Sequence, residues 1–278
     1  MGRLGWDLNS KTLEHTRIRD NLQSITQLPY IIFCSGMSRS ASSWSYKTCL
    51  TLERLRTPEN KIDCGYLNEA DTLADAYVST KMKSGYNALI YFSHVINKRA
   101  LRMILCGIAK NVYTYRDPRD SIASIMRKEG CKYGPAFDFV HSSLLLFNLF
   151  AADQYSLLLP FPETLKDPLG TTAKIANYLD YDLSREQIEK VHLKTQRLTI
   201  DRRKRQRRKS AYSALDIEII DHGLEVLEGE PTDAPGVNNP WRYSTLNKNQ
   251  YADATKRLRN WLIKMNFPTS PVPPWGKN

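Results

Sequence analysis

Short apolar runs alternate with longer stretches of helical periodicity over most of this chain, and that alternation predicts its elements. After Pro29, Tyr30-Ile31-Ile32-Phe33-Cys34 is a compact run of β-formers and predicts a buried strand. Ala88–Phe92, Asn111–Tyr115 and Leu157–Leu159 predict three more. A helix is expected after the loop Gly36–Trp44, reaching Leu55 and stopped by Pro58, and another after His94, through Ile104. Asp117 has the character of an N-cap with Pro118 at the first helical position, opening a helix to about Lys128. Phe137–Gln154 and Gly170–Leu179 predict helices, and Ser184 with Gln187 forms a capping box opening a helix to Arg197. A helix over Ser10–Ile25 precedes this core, an amphipathic helix over Asn247–Met265 closes it, and residues 268–278 form a Pro-rich tail. Strand alternating with helix implies an α/β fold, a central parallel β-sheet flanked by helices on both faces.

Such sheets bind ligands beyond the carboxyl ends of their strands. Three segments that carry chemistry lie there: Gly36–Trp44, His94 and Arg116–Asp120. In the first, a strand-to-helix turn of small residues lets backbone N–H groups approach phosphate oxygens, with the positive helix end behind them. Arg39, Ser40, Ser42 and Ser43 add a guanidinium and three hydroxyls; the plainer alternative is a polar turn. The third sets Arg116 at a strand end and Ser124 eight positions later, two turns into the next helix. Two cationic sites at two strand ends suit a ligand with two phosphate groups, against the alternative of a charged helix start favoured by the dipole.

Composition narrows the field modestly. The chain has 278 residues, 41 % hydrophobic and 25 % charged, so one domain spanning 1–278 with its core at about 28–267 is expected. Arg202 to Lys209 holds seven basic residues in eight, and removing their charge from the net +11 leaves +4. That octet opens an aperiodic basic segment at about 200–240 and reads as a solvated stretch, an anion-capturing arm or a nucleic-acid or membrane contact. Five cysteines (Cys34, Cys49, Cys64, Cys106, Cys131) without metal-binding spacing argue against a disulfide framework or zinc site and for a reducing, cytoplasmic setting. Neither a signal pattern nor a membrane-spanning apolar stretch is evident. Oligomeric state is not legible.

Together the two loop segments resemble the sulfotransferase family. There, a strand–loop–helix with a loop reading Pro, Lys or Arg, Ser, Gly, Thr, Thr, Trp binds the 5′-phosphosulfate of 3′-phosphoadenylyl sulfate (PAPS). Here it is Ser38-Arg39-Ser40-Ala41-Ser42-Ser43-Trp44. The family's Tyr-Arg-Asp-Pro-Arg-Asp element with a later Ser binds the 3′-phosphate and is unbroken here from Tyr115 to Ser124. Trp241-Arg242 is similar to an element at the donor's 3′ side, and Phe161–Leu165 with Asp167-Pro168 to a degenerate form of another family stretch. The resemblance implies a P-loop nucleotide-binding-like fold, PAPS as donor, adenosine 3′,5′-bisphosphate as product and no metal. Arg39, Ser40, Ala41, Ser42, Ser43, Trp44, Arg116, Ser124, Trp241 and Arg242 would bind the donor, with Trp44 near either the adenine or the sheet. His94, 22 residues before Arg116, falls where many members carry the general base in a Lys-Thr-His triplet. His94 and Arg39 would be catalytic, with an acceptor hydroxyl on a carbohydrate, lipid or small molecule as the group sulfated, Arg rather than Lys at 39 hinting at a carbohydrate.

This chain departs from the pattern at Ser38 for Pro, Ala41 for Gly, Phe92 for Lys, and a missing Gly before Trp241. If position 41 needs a positive φ, its strain is on the order of 1 kcal/mol. Two other classes compete. A kinase-like P-loop protein lacks its loop Lys here, and a basic nucleic-acid-binding protein lacks any sequence-reading motif for DNA.

Overall fold

The computed structural model describes residues 29–67, 85–196 and 245–270. The helix expected at 10–25, the basic run 202–209, Trp241, Arg242 and the end of the tail lie outside them. Among the described residues, β1 (Tyr30–Gly36), β2 (Ile62–Tyr66), β3 (Ala88–Ser93), β4 (Ala109–Tyr115) and β5 (Ser156–Pro160) form one sheet in the order β2-β3-β1-β4-β5. Every neighbouring pair is parallel. The helices are α1 (Ser42–Glu53), α2 (Lys98–Leu105), α3 (Pro118–Glu129), α4 (Tyr133–Ala151), α5 (Phe161–Lys166), α6 (Pro168–Tyr178), α7 (residues 185–196), α8 (Lys248–Arg257) and α9 (Arg259–Lys264).

Side-chain alternation along the strands sorts the core into two layers. Ile31, Phe33, Leu89, Tyr91 and Tyr113 pack with α2, α3, α4, α8 and α9 on one face. Ile32, Cys34, Ala88, Ile90 and Val112 pack with α1, α6 and α7 on the other. The expected parallel sheet, covered on both faces, is therefore the observed one. No helix among the described residues is long and apolar enough to cross a membrane.

Local signals account for most boundaries. Asp117 caps α3 by accepting from the Arg119 amide at 2.9 Å, and Ser184 and Gln187 exchange hydrogen bonds as a capping box. The long helix α4 starts at Tyr133, a turn before the expected Phe137, because Pro135 falls in its first turn, where a missing N–H costs nothing. The expected helix Asn247–Met265 is two helices: the backbone departs from helical geometry at Leu258 (φ −101°, ψ 7°), and Trp261 and Leu262 beyond it are buried. Strand β2 went unpredicted because it is a half-exposed edge strand with Asp63 and Gly65 interrupting its apolar pattern.

The far end of α1 is fixed by Glu53, 1 % exposed, which accepts from Arg56, Thr57 and Tyr181. Arg56 lies over the rings of Tyr30 and Tyr181 at 4.2 and 4.5 Å. Its near end depends on a close approach between β1 and β4. Gly36 pairs with Thr114, and a β-carbon at Gly36 would collide with the Thr114 hydroxyl and come within 2.7 Å of its carbonyl oxygen. Gly36→Ala is therefore expected to lower stability by about 1–3 kcal/mol, the usual cost of overpacking, read from the denaturation midpoint. A midpoint equal to that of wild type would show that the strands have room to part.

Candidate functional site

Strands β3, β1 and β4 are neighbours, so the three segments that follow them meet at one edge of the sheet. After β1 the chain runs to β2 on one side, whereas β4 leads to β5 on the other. The crevice between β1 and β4 is the topological switch point, where open α/β sheets bind ligands.

The loop after β1 is stitched to β4 and α3. Met37 N donates to the Thr114 carbonyl at 2.9 Å, and Ser40 Oγ lies 2.5 Å from the Met37 carbonyl, 3.0 Å from the Thr114 carbonyl and 2.7 Å from Thr114 Oγ1. Ser121 Oγ donates to the Ser38 carbonyl at 2.8 Å. Arg39 and Ala41 both have left-handed backbones, φ 68° and 70°. Such residues curl the chain into the concave N–H arrays that hold anions. Ala41 is the N-cap of α1, and its methyl group cannot accept from the first-turn amides, which leaves that role to solvent or a ligand.

Both guanidinium groups reach this loop. Arg116 Nη1 donates to the Arg39 carbonyl at 3.0 Å, its Nη2 lies 3.2 Å from Asp120, and its Cζ lies 4.6 Å from the centroid of the Phe161 ring. Arg39 Nε donates to Ser124 Oγ at 2.9 Å. Arg39 and Arg116 are 5 % and 4 % exposed, and Arg116 Nε is buried without a hydrogen-bond partner. A buried guanidinium with an unused donor fits an anionic ligand.

His94 follows β3 and leans across to β1. Its Nδ1 lies 2.9 Å from the Gly36 carbonyl oxygen, which can only accept, so Nδ1 carries the proton. Phe92 meets the imidazole edge-on, centroids 5.0 Å apart, and itself packs against Tyr46 and Tyr66. Burial lowers the pKa of His94 below the ordinary 6.5 and the charge of Arg39 lowers it further, while the bond to Gly36 acts in the opposite sense. At neutral pH the ring is uncharged, with the Nε2 lone pair available.

No family model and no curated protein matches the sequence. Solved structures match the fold. Retinol dehydratase in complex with androsterone and the inactive cofactor PAP is 17 % identical with a TM-score of 0.54, covering 89 % of this chain and 85 % of that one. The complex of retinol dehydratase with retinol and PAP is 17 % identical, TM-score 0.53, covering 90 % and 86 %. Mouse sulfotransferase SULT7A1 complexed with PAP is 15 % identical, TM-score 0.53, covering 86 % and 89 %. The chain has the sulfotransferase fold.

Within that sulfotransferase fold, Arg39, Arg116, Ser124 and His94 gather at one strand-end edge, linked by the contacts above. Other expected donor residues take different parts. Trp44, 1 % exposed, packs in the core beside the sheet. The Ser40 hydroxyl is spent on holding the loop, and Ala41, 0 % exposed, contributes backbone alone. Ser42 and Ser43 lie in the first turn of α1; Trp241 and Arg242 fall outside the described residues. Sequence reasoning missed Asp117 and Arg119 as a buried ion pair, 2.7 Å apart, although both stand in the quoted Arg116–Asp120 element. It also missed the Gly36 carbonyl, since a backbone partner leaves no mark in residue type. Among the described residues, no three His, Cys, Asp or Glu side chains cluster as a metal would require.

The His94 environment makes a sharp expectation. In an NMR titration its imidazole should protonate below 6.5, neutral above the lowered midpoint and charged beneath it. A midpoint at or above 6.5 would mean that burial does not govern this ring.

Proposed function

We propose that the protein transfers a sulfuryl group from PAPS to an acceptor hydroxyl. The observation that carries this reading is the single bond from Arg116 Nη1 to the Arg39 carbonyl, 3.0 Å, which joins the two cationic segments in one crevice. The PAP-bound state of the structural neighbours supports the same donor class for this chain. The loop amides, Arg39 and the hydroxyls of Ser42 and Ser43 would hold the 5′-phosphosulfate. Arg116 and Ser124 would hold the 3′-phosphate. Ser124 Oγ accepts from Arg39, so its own proton is left to donate to a phosphate oxygen. Arg39 would then link the two ends of the donor site.

In the reaction, His94 Nε2 accepts the proton of the acceptor hydroxyl as its oxygen bonds to sulfur. The bond between sulfur and the bridging phosphate oxygen breaks, and charge grows on that oxygen. Arg39 and the loop amides stabilise it, a contribution of about 3–4 kcal/mol for one donor group. The acceptor reading is a hydroxyl compound, with carbohydrates as the class that Arg39 and the basic body favour, while two neighbours were solved with androsterone and retinol. Five cysteines without a disulfide fit a cytoplasmic setting for this chemistry.

Calorimetric titration with adenosine 3′,5′-bisphosphate tests the donor. Wild type should bind, and Arg116→Ala should bind about 10–100-fold more weakly, as expected on losing a charged hydrogen-bond donor. Absence of binding by wild type at millimolar ligand would end the sulfotransferase reading. In turnover assays across acceptor pools, Arg39→Ala should lower kcat about 10²–10³-fold. His94→Ala should lower it about 10²–10⁴-fold with little change in donor affinity. Because the neutral imidazole is the base and its pKa is lowered, the rate should hold through pH 7 and fall only on acidification beyond the ordinary histidine range. A rate already halved at pH 7 would remove His94 from that role.

A further inference from the structure

Arg119 is the cation of the Arg116–Asp120 element that the donor reading leaves unused. It is 0 % exposed, and all three of its nitrogens are engaged. Nε and Nη2 meet Asp117 Oδ1 and Oδ2 at 3.0 and 2.7 Å. Nη1 donates to Tyr251 Oη at 3.0 Å and to Thr255 Oγ1 at 3.2 Å, both on α8, 132 and 136 residues further along the chain. Asp117 is the N-cap of α3 and the residue next to Arg116. One guanidinium therefore contacts both the residue beside Arg116 and helix α8. Leu246, 1 % exposed, enters the core just before α8, four residues past Arg242.

We propose that Arg119 is a positioning residue that couples the donor-binding end of α3 to the docking of the C-terminal helix α8. The donor half of this statement rests on the sulfotransferase reading; the coupling half does not. The planar fork is what makes the link. A Lys at 119 keeps the charge but, as a single compact ammonium, cannot span both carboxylate oxygens and two hydroxyls on another helix. Loss of the fork removes two of the hydrogen bonds that hold the Asp117 carboxylate, and with them part of the support of the strand end from which Arg116 projects.

The test uses the full chain with Arg119→Lys, and with Tyr251→Phe and Thr255→Val, which leave the Asp117 pair intact and serve alone should Arg119→Lys not fold. Hydrogen exchange is read at low temperature, well below unfolding, alongside calorimetric affinity for adenosine 3′,5′-bisphosphate. Arg119→Lys should speed exchange both in α8 and across residues 115–121, and weaken the bisphosphate about tenfold. Tyr251→Phe and Thr255→Val should act in the same direction more weakly. If α8 alone loosens while 115–121 and the affinity stay as in wild type, Arg119 is merely a structural staple and the proposal fails. If both segments loosen together but wild type binds no bisphosphate, the coupling stands and the donor reading is what fails.

Discussion

The loop that follows β1 is held in shape chiefly by β4 and α3. Its backbone and hydroxyls close on the Thr114 carbonyl and hydroxyl, the Ser121 hydroxyl and the Arg116 guanidinium, all from elements about eighty residues away in sequence. This outside support is what lets Arg39 and Ala41 adopt left-handed backbones that together cost about 2–4 kcal/mol. Several buried hydrogen bonds at about 1 kcal/mol each can offset strain of that size. The approach that makes those bonds requires Gly36, since a side chain there would push β1 and β4 apart. Loop curvature, helix start and both cations thus depend on one flush contact between adjacent strands.

Burying guanidinium groups at such a place needs compensation, and the structure supplies two kinds. Arg119 is matched by Asp117 in bidentate geometry and by two hydroxyls, an arrangement in which removing one partner typically costs about 3–5 kcal/mol. Arg116 has Asp120 at 3.2 Å, a backbone carbonyl and an aromatic face, with Nε left over. The fully matched cation lies deeper and ties helices together. The incompletely matched one lies at the strand end, where an anion would complete it. On the proposed reading, neighbouring arginines of one motif divide into a positioning and a ligand-facing role by how far their donors are already satisfied.

Sheet and helices were legible because their signals are local: apolar runs, a Pro after an N-cap Asp, a capping box. Where neighbours decide, the pattern failed. Strand β2 exists because β3 offers it a partner, and the break at Leu258 accompanies burial of Trp261, neither of which periodicity records. Site residues show the same division. Arg39, His94 and Arg116 were singled out by type and by their places after strands. What sequence could not supply was direction: that Trp44 turns into the core, that the Ser40 hydroxyl turns to Thr114, and that Arg39 reaches Ser124. The conditional expectation for Ala41 was sound, since its φ is indeed positive.

Phe92 shows how one substitution within a motif redistributes physical roles. The resemblance leads one to expect a Lys there, two residues before His94, where a cation would both favour a neutral imidazole and assist the leaving group. Phe92 instead seals the His94 ring edge-on, backed by Tyr46 and Tyr66. Desolvation by such an apolar wall disfavours imidazolium just as a positive charge would, so the imidazole stays neutral by a different route. An apolar wall gives nothing to developing negative charge, however. Within the proposed mechanism that task falls more heavily on Arg39, whose charge already reaches His94 and whose backbone is held in place by Arg116. On that mechanism the chemistry would be more concentrated on one guanidinium than the family pattern alone suggests, and the rigidity of the loop that carries it correspondingly important.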